Sequence, residues 1–454
     1  MNLKQHISET VKLAIPISAG QLGHVMLGVV DSLMVGKLGA VPLAAASLVN
    51  GLFFLIMVIG IGMTMAASPL IAMAKGRGKE KDCGKILNHS LLMNVTFSIV
   101  LISLMYGLSF LLPYMNQPEA VVKEALPYLR MLIASIIPFI IFQCYRQFLE
   151  GLSQPIPPMI IALSANILNA FLNWVFIFGN LGSPKLGLLG AGIATTGTRW
   201  TMAIALIIIT LNYKRVQNFN PSFSLKIIDR ALLKKLFSIG LPSGLQYFLE
   251  VGCFVFAAVM IGWIGAVPLA AHQIAINLAS ITYMIILGIS SAGMIRVGLS
   301  VGSGKKDDVR KAGFTAMGLS GTLMITFGII FIIMKDILPL FYINDIKVIE
   351  LASQLIIVAA LFQLFDGLQA SGISVLRGLT DVKIPLAISF ASYWLIGIPV
   401  AYILGITFKL GTVGIWIGLL IGLIVLGSSC VLRFNKKSKE EIILTEEERI
   451  ALMG

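Results

Sequence analysis

Charged residues are scarce in this chain: they make up 12% of its 454 residues, against 57% hydrophobic residues. A soluble protein usually carries about 25% charged residues, so the charges here are too few to cover a surface exposed to water. The uncharged stretches 38–74, 86–116 and 151–184 each exceed the ~20 residues that a helix needs to cross a bilayer. The composition excludes a soluble protein and predicts an all-α integral membrane protein.

Cysteine and histidine are scarce as well, with four of each. Cys83, Cys144, Cys253 and Cys430 show no CxxC or CxxH spacing, so neither a zinc site nor a disulfide framework is predicted. The net charge of +13 would also suit a nucleic-acid binder, but the basic residues lie in short loops between apolar runs. Orientation in the membrane accounts for basic residues at such positions, and we therefore expect no nucleic-acid partner.

Twelve transmembrane helices are predicted when the apolar runs are divided at glycine, proline and charged residues. They span residues 10–36, 42–74, 86–113, 121–149, 156–180, 188–213, 232–263, 268–300, 312–335, 349–376, 384–405 and 412–433. Placing both termini in the cytoplasm assigns 26 of the 34 Lys and Arg residues to that side and 7 to the other, with Arg199 inside the sixth span. This asymmetry predicts cytoplasmic termini.

An internal repeat divides the chain into two halves. The heptapeptide GAVPLAA at 39–45 recurs letter for letter at 265–271, an offset of 226 residues. The same offset pairs Pro16 with Pro242. The repeat predicts two pseudo-symmetric six-helix bundles at 1–212 and 230–435, a cytoplasmic linker at 213–229 and a charged cytoplasmic tail at 436–454. Parallel six-helix halves are an architecture of alternating-access transporters, in which the site lies between the halves near the midplane of the membrane.

Three acidic residues lie well inside predicted spans, whereas nearly all the others fall in loops, at helix ends or in the tail. They are Asp31 in VVDSLM, Glu250 in YFLEVGCF and Asp366 in QLFDGLQ. Inserting a carboxylate at such a depth costs about 2.5–3.5 kcal/mol, so these positions are functional candidates. A carboxyl group in apolar surroundings favours its protonated form, and a nearby cation favours its ionised form. Such groups can exchange a proton for a cation, and the alternative is a carboxyl group that only packs helices together.

Side chains with neutral oxygen atoms could join Asp31 in one site. Asn169 and Asn173 are four residues apart and share one helix face. Together with Asp31 and the hydroxyl of Thr195 they offer the hard oxygen ligands that suit a small cation. The asparagine pair is equally typical of a polar seam that holds helices together.

Aromatic residues are the candidates for contact with an organic cation. Four of them can line a cavity through flat apolar contact and cation–π attraction: Tyr247, Phe248, Tyr283 and Phe362. Arg199 is interpreted as a structural residue, with pairing to a carboxylate as the alternative.

The order of these motifs resembles the multidrug and toxic compound extrusion (MATE) transporters, in particular their NorM-like bacterial branch. The resemblance rests on VVDSLMVGKLGAVPLAAASL in the first helix pair, LNAFLNWVFIFG in the fifth span, GAVPLAAHQIAIN and IRVG flanking the eighth, and SVLRGLTD after the tenth. It covers the chain up to Arg433 and implies cation-coupled export of amphipathic, mostly cationic drugs and toxins. It also implies a bacterial inner-membrane protein that acts as a monomer without a cofactor, in contact with membrane lipid.

Site residues follow from the same resemblance. It implies a cation-linked cluster in the N-terminal half, formed by the aspartate, the two asparagines and the threonine named above. In the C-terminal half, Glu250 and Asp366 match carboxylates associated with cation coupling and substrate response. Some relatives carry a phenol near the last carboxylate, where this chain has Phe362, and some carry an aspartate at the position of Asn173. The sequence leaves the coupling ion open between Na⁺ and H⁺, and a Na⁺ site open between the two halves.

Other function classes fit the sequence less well. A lipid-linked oligosaccharide flippase of the same superfamily needs several basic residues within its spans, and the sequence suggests essentially Arg199 alone. A membrane enzyme needs a clustered catalytic set such as HxxxD or DDxxD, which the sequence lacks. A channel needs a continuous pore, which two parallel halves with midplane carboxylates do not suggest.

Overall fold

The structure, a computed structural model, describes residues 2–115, 117–221, 223 and 228–440. Eleven helices in this part of the chain are long and apolar enough to cross a bilayer, and a bent pair brings the number of spans to twelve. They are α1 (Leu3–Gly36), α2 (Ala40–Gly76), α3 (Glu80–Tyr114), α4 (Glu119–Ala134 and Ile136–Gly151), α5 (Ile156–Phe178), α6 (Leu188–Asn212), α7 (Arg230–Ile264), α8 (Ala266–Gly302), α9 (Lys306–Met334), α10 (Ile346–Gly378), α11 (Lys383–Thr407) and α12 (Gly411–Lys437). The prediction of an all-α membrane protein with twelve spans is confirmed.

The repeated heptapeptide begins at a sharp turn between two spans. Gly39 separates α1 from α2 with φ of 116°, and Gly265 separates α7 from α8 with φ of 150°. Residues with a side chain rarely adopt such a backbone conformation. The first glycine of each copy therefore places the same turn at equivalent points of the two halves.

Two compact units make up the fold. The N-unit comprises Ala19–Gly244, and the C-unit comprises the described residues within Met1–Ser18 and Leu245–Ile443. The boundaries fall inside α1 and α7, two residues after the repeat prolines Pro16 and Pro242, and they are 226 residues apart like the repeat. The start of α1 thus belongs to the C-unit and the start of α7 to the N-unit, whereas the repeat predicted linear halves at 1–212 and 230–435.

The predicted linker and tail are described only in part. A 3₁₀-helix occupies Lys214–Phe219 of the linker, while residue 222 and residues 224–227 lie outside the described residues. Helix α12 runs two residues into the predicted tail. Residues 441–454 of the tail also lie outside the described residues.

In the N-unit, α5 and α6 pack along each other, and α4 packs against α2 and α6. Helix α4 bends by 41° between its two segments, at Ser135. The part of α1 that belongs to this unit is held against α5, because the Asn166 amide donates a hydrogen bond of 2.8 Å to the Gly23 carbonyl. This contact fixes the first and fifth spans side by side.

In the C-unit, α10 is the central helix and packs against α8, α9 and α12. Small residues allow the close approach: a Cβ on Gly328 would lie 2.8 Å from the Ala360 carbonyl oxygen, and one on Gly372 would lie 2.8 Å from the Cβ of Cys430. Close backbone contact of this kind is how helices associate in lipid, where burial of apolar surface gives little drive. Side chains on α10 are consequently enclosed by three neighbouring helices.

Helix α11 departs from regular α-helical geometry. It contains two π-helical segments, Ala391–Gly397 and Ile403–Thr407. Segments of this kind occur frequently at functional sites. The first of them packs against α12 in the C-unit.

Candidate functional site

The four polar residues predicted as a cluster in the N-terminal half come together in the N-unit. Asn173 donates its amide to Asp31 Oδ1 at 2.6 Å, and Thr195 donates its hydroxyl to Asp31 Oδ2 at 2.8 Å. Asn173 also donates to Asn169 Oδ1 at 3.1 Å. All four side chains are buried. We call this set the Asp31 cluster.

The positions of these residues follow from helix geometry. Asn169 and Asn173 lie one turn apart on α5, so their side chains project from the same face. Helix α1, held against α5 through Gly23, brings Asp31 to that face, and α6 brings Thr195. The three spans therefore meet at one buried carboxylate.

Two amide atoms of the Asp31 cluster have no hydrogen-bond partner among the described residues. They are Asn169 Nδ2 and Asn173 Oδ1, and both are buried. The Asn173 amide must turn its nitrogen toward Asp31 because an ionised carboxylate only accepts hydrogen bonds. Its oxygen then remains available beside the carboxylate oxygens. The donor set is oxygen-rich, and no group of three or more His, Cys, Asp or Glu side chains suited to a metal ion occurs in the described chain.

Arg199 lies near the Asp31 cluster without an ion pair to it. Its guanidinium donates to the Ser135 hydroxyl at 2.6 Å and sits 5.1 Å from the ring centres of both Phe53 and Phe139. No ion pair between Arg199 and Asp31 forms among the described residues, although the two interact electrostatically. Cation–π contacts and one hydrogen bond hold this half-buried cation at the bend of α4.

The two predicted carboxylates of the C-terminal half lie in the C-unit, on α7 and α10. Tyr283 of α8 donates its hydroxyl to Glu250 Oε1 at 3.0 Å, and Gln369 of α10 donates its amide to Glu250 Oε2 at 3.3 Å. Asp366 is 4% exposed, and within the described part of the chain it makes no hydrogen bond or ion pair. Glu250 and Asp366 are near enough to interact electrostatically. We call these two residues the Glu250–Asp366 pair.

The aromatic residues predicted to line a cavity occupy different surroundings in the C-unit. Tyr247, Phe248 and Tyr283 are partly buried, and the Tyr247 ring faces the Arg377 guanidinium at 5.6 Å. Phe362 is 2% exposed. Its ring centre lies 6.0 Å from that of Phe254 and 5.9 Å from that of Trp416. A role of any of the four in drug contact stays a prediction.

The sequence prediction that Arg199 is essentially the only basic residue inside the spans is wrong. Arg146, Arg296 and Arg377 lie within candidate spans as well, and they are buried at 6%, 7% and 2% exposure. Glu150 is a fourth buried acidic residue, 3% exposed, and accepts from Arg146 Nε at 2.6 Å. Arg146 and Arg296 lie inside two of the predicted spans, 121–149 and 268–300, but the count of basic residues on each side of the membrane assigns them to loops. The spacing of four between Arg146 and Glu150 was the available signal, because residues so placed face each other on a helix.

The other two buried arginines donate hydrogen bonds to neutral groups within the C-unit. Arg296 donates to the His6 carbonyl at 2.7 Å and to the Thr10 hydroxyl at 2.6 Å, which ties the start of α1 to α8. Arg377 donates to Gln246 Oε1 at 3.3 Å. Both side chains thus serve contacts between helices of this unit.

Comparisons with known proteins show one family to which the chain is similar over most of its length. The family model MatE matches residues 16–175 and 242–403. The probable multidrug resistance protein NorM of Mesorhizobium japonicum is 35% identical over 445 residues, which cover 96% of this chain and 95% of that protein. The multidrug resistance protein NorM of Vibrio vulnificus is 30% identical, covering 98% of this chain and 99% of that protein.

Solved structures share the fold. A crystal structure of a eukaryotic MATE transporter superposes with a TM-score of 0.87 at 23% identity and covers 99% of both chains. A crystal structure of a MATE protein in its straight conformation gives a TM-score of 0.87 at 20% identity, covering 95% of this chain and 96% of that one. The twelve-helix arrangement is therefore that of MATE structures.

Proposed function

The chain belongs to the MatE family, and from this premise we propose that it is a cation-coupled antiporter that exports amphipathic, mostly cationic drugs and toxins by alternating access. The names of its relatives support multidrug export, because they are called multidrug resistance proteins. The coupling cation in this proposal is Na⁺ or H⁺. No cofactor takes part, and the protein carries out transport rather than catalysis.

The observation that carries the proposal is the Glu250–Asp366 pair. Two carboxyl groups lie buried in one unit, and among the described residues neither lies within ion-pair distance of Lys or Arg, although Arg377 interacts electrostatically with Glu250. A carboxylate without a fixed counter-charge in an apolar environment is costly. Binding a proton or a metal cation from water removes the cost of the buried negative charge. Such a pair is therefore suited to reversible cation binding.

Cation binding can drive transport only if the cation's affinity differs between two conformations of the protein. In the proposed cycle, a cation that enters the Glu250–Asp366 pair, the Asp31 cluster or both favours the state that releases drug outward. The resulting shift cannot exceed the difference in the cation's affinity for the two states. Loss of either charged site should therefore weaken export in proportion to the share of coupling that the site carries.

The proposed location is the bacterial inner membrane, with both termini in the cytoplasm and the protein acting as a monomer. The asymmetry of basic residues supports this orientation: once the three arginines buried within spans are removed, 23 Lys and Arg are assigned to the cytoplasmic side and 7 to the other. The proposed partners are small amphipathic organic cations and the surrounding lipid. The net charge of +13 is accounted for by this topology and gives no reason to expect nucleic acid.

A flippase for lipid-linked oligosaccharides remains the second candidate, because the described spans contain more buried arginine than the sequence suggested. An anionic pyrophosphate would need several of these cations free of protein partners. Arg146 instead pairs with Glu150 at 2.6 Å, and Arg199 is held by Ser135 and two aromatic rings. These contacts favour the drug exporter.

Efflux of ethidium from energised cells tests the proposal. Glu250→Gln and Asp366→Asn keep the side-chain shape and remove the charge, and both variants should lose most of the efflux while inserting normally. Asp336→Asn is the matched control, since Asp336 is exposed and forms an ion pair with its neighbour Lys335. Efflux at the wild-type rate in both charge variants would refute the antiporter, and export of a fluorescent lipid-linked sugar would favour the flippase.

A further inference from the structure

Arg199 is a cation in the middle of a membrane span, and most of its hydrogen-bond donors are unused. It lies halfway along α6, which runs from Leu188 to Asn212, and it is half-buried. Its guanidinium donates one hydrogen bond among the described residues, to the Ser135 hydroxyl at 2.6 Å, whereas a guanidinium carries five N–H donors. A charged side chain at this depth is costly and is a functional candidate by default. The unused donors indicate an acidic partner that the described chain does not supply.

The neighbouring carboxylate does not use these donors. Asp31 accepts from Asn173 at Oδ1 and from Thr195 at Oδ2, so neutral donors contact both of its oxygens. Arg199 interacts electrostatically with Asp31, but no hydrogen bond or ion pair joins the two within the described chain. The negative charge of Asp31 lowers the cost of placing the guanidinium inside the unit. The remaining N–H groups of Arg199 are left for another acidic group.

Aromatic rings from three helices lie around Arg199 within the N-unit. The ring centres of Phe53 on α2 and Phe139 on α4 are each 5.1 Å from its guanidinium carbon. His24 on α1 is also half-buried, and its ring stacks on Phe139 at 5.3 Å and on Phe142 at 6.2 Å. The guanidinium therefore lies inside the helix bundle, where intramembrane charges are usually found. The rings beside it offer stacking contact to a flat aromatic molecule.

The repeated six-helix architecture does not require a cation at this position. The repeat offset of 226 residues places Val425 of α12 at the position that corresponds to Arg199 of α6. An apolar side chain at the same point of the other half needs no acidic partner. Arg199 is therefore a feature of the N-unit that the packing of six helices does not explain.

A carboxylate is the acidic group that fits these donors. The planar guanidinium binds a carboxylate through two parallel hydrogen bonds, and one arginine balances one negative charge, whereas a pyrophosphate carries several. We propose that Arg199 gives this exporter a second substrate class, aromatic compounds that carry a carboxylate. Arg199 binds the carboxylate, while His24 and Phe139 contact the aromatic rings. This inference goes beyond the proposed export of cationic drugs and rests on the same transport activity.

The test is the binding of two rhodamine dyes to the purified full-length protein in detergent. One dye carries a free benzoate and the other is its methyl ester, so the two share their rings and cationic group and differ in the negative charge. Fluorescence polarisation gives the dissociation constant of each dye, and the ratio of the ester's constant to the acid's measures the preference for the carboxylate. The wild type should prefer the acid. Arg199→Gln should lower the ratio about tenfold, which equals about 1.4 kcal/mol of binding free energy.

Three further variants separate recognition of the carboxylate from a structural role. Arg199→Lys keeps the positive charge and should restore part of the preference for the acid. Asp31→Asn removes a negative charge near the bound carboxylate and should raise the ratio. Arg215→Gln changes an exposed arginine of the linker and is the matched control, with both dissociation constants as in the wild type. A variant that only loosens the N-unit weakens the binding of both dyes alike, so the ratio distinguishes it from a loss of recognition.

A ratio in Arg199→Gln equal to that of the wild type, or a wild type without preference for the acid, would overturn the inference. Ethidium efflux by the wild type tests the proposed export separately, because ethidium carries no carboxylate. Efflux of ethidium together with an unchanged ratio removes the assignment of Arg199 and keeps the exporter. A lowered ratio in Arg199→Gln without ethidium efflux keeps the assignment and removes the exporter.

Discussion

Replacing Asp31 by asparagine separates the charge of the Asp31 cluster from its shape. Asp31 accepts from Asn173 at 2.6 Å and from Thr195 at 2.8 Å. An asparagine at this position can still accept from Asn173 with its oxygen. Its amide nitrogen can donate to the Thr195 hydroxyl, which rotates to accept. Asp31→Asn therefore keeps both contacts and removes only the negative charge.

The expected change in stability is small. Two hydrogen bonds to a charged group, each contributing about 1.5–3 kcal/mol, become neutral ones of about 0.5–1.5 kcal/mol. The loss of about 2 kcal/mol is offset by removing a buried charge, whose insertion costs about 2.5–3.5 kcal/mol. Arg199 keeps its bond to Ser135. By contrast, Asp31→Ala leaves the donors of Asn173 and Thr195 facing a cavity, at about 1–3 kcal/mol for each unpaired group.

Thermal unfolding in detergent and ethidium efflux measure the two consequences separately. Asp31→Asn should unfold within a few degrees of the wild type and lose cation-driven efflux, while Asp31→Ala should be clearly less stable. If Asp31→Asn transports at the wild-type rate, the carboxylate serves only to hold helices together. If Asp31→Asn instead unfolds like Asp31→Ala, the proposed exchange of hydrogen bonds with Thr195 does not occur.

Two further predictions concern packing in the N-unit. Glu150→Gln should lower the free energy of unfolding by about 3–5 kcal/mol because it leaves Arg146 buried without a counter-charge. Replacing both residues by apolar ones should change the stability little. A double-mutant cycle on unfolding in denaturant measures the coupling between the two residues, and additive effects of the two single replacements would contradict the prediction. Gly244→Ala should lower the thermal unfolding midpoint, because the added Cβ would lie 2.5 Å from the Ile59 carbonyl oxygen, while a Cβ on Gly51 meets no atom within 4 Å. Equal midpoints for Gly244→Ala and Gly51→Ala would show that the helices move apart without cost.

The spans could be predicted from the sequence because lipid imposes a simple rule. Uncharged runs longer than about 20 residues leave a helix as the main way to satisfy the backbone in a bilayer. The predicted and observed ends differ most where charged residues extend a helix beyond the membrane, as at Leu3 in α1 and Glu80 in α3. Hydropathy predicts only the part of a helix that lies in the bilayer. The backbone hydrogen bonds of the helix continue beyond that part, so the helix is longer than its apolar run.

The Asp31 cluster illustrates how much of a site the sequence can predict. A carboxylate inside a span is conspicuous because its insertion is costly, and the four-residue spacing of Asn169 and Asn173 predicted a common face. The hydrogen bonds that join them to Asp31 required the approach of α1 to α5, which is set by contacts such as Asn166 with Gly23. Such contacts between helices leave no periodic signal in the sequence.

Other features were beyond the reach of the sequence for stated physical reasons. The buried pair of Arg146 and Glu150 lies near the end of a span, where charges usually face water. Tyr393 is one of 10 tyrosines, and only the fold shows that it is buried with a hydroxyl that has no hydrogen-bond partner among the described residues. The first residues of α1 belong to the C-unit and the first residues of α7 belong to the N-unit. A repeat along the sequence cannot indicate this assignment.

Ion-driven transport by the purified protein in liposomes tests the central claim most directly. Ethidium movement is followed while a Na⁺ gradient and a pH gradient are imposed independently, for the wild type and for Glu250→Gln and Asp366→Asn. The account predicts transport by the wild type that follows an imposed Na⁺ or pH gradient, and little transport by either variant. Wild-type transport that follows neither gradient, or variants that transport as well as the wild type, would contradict it.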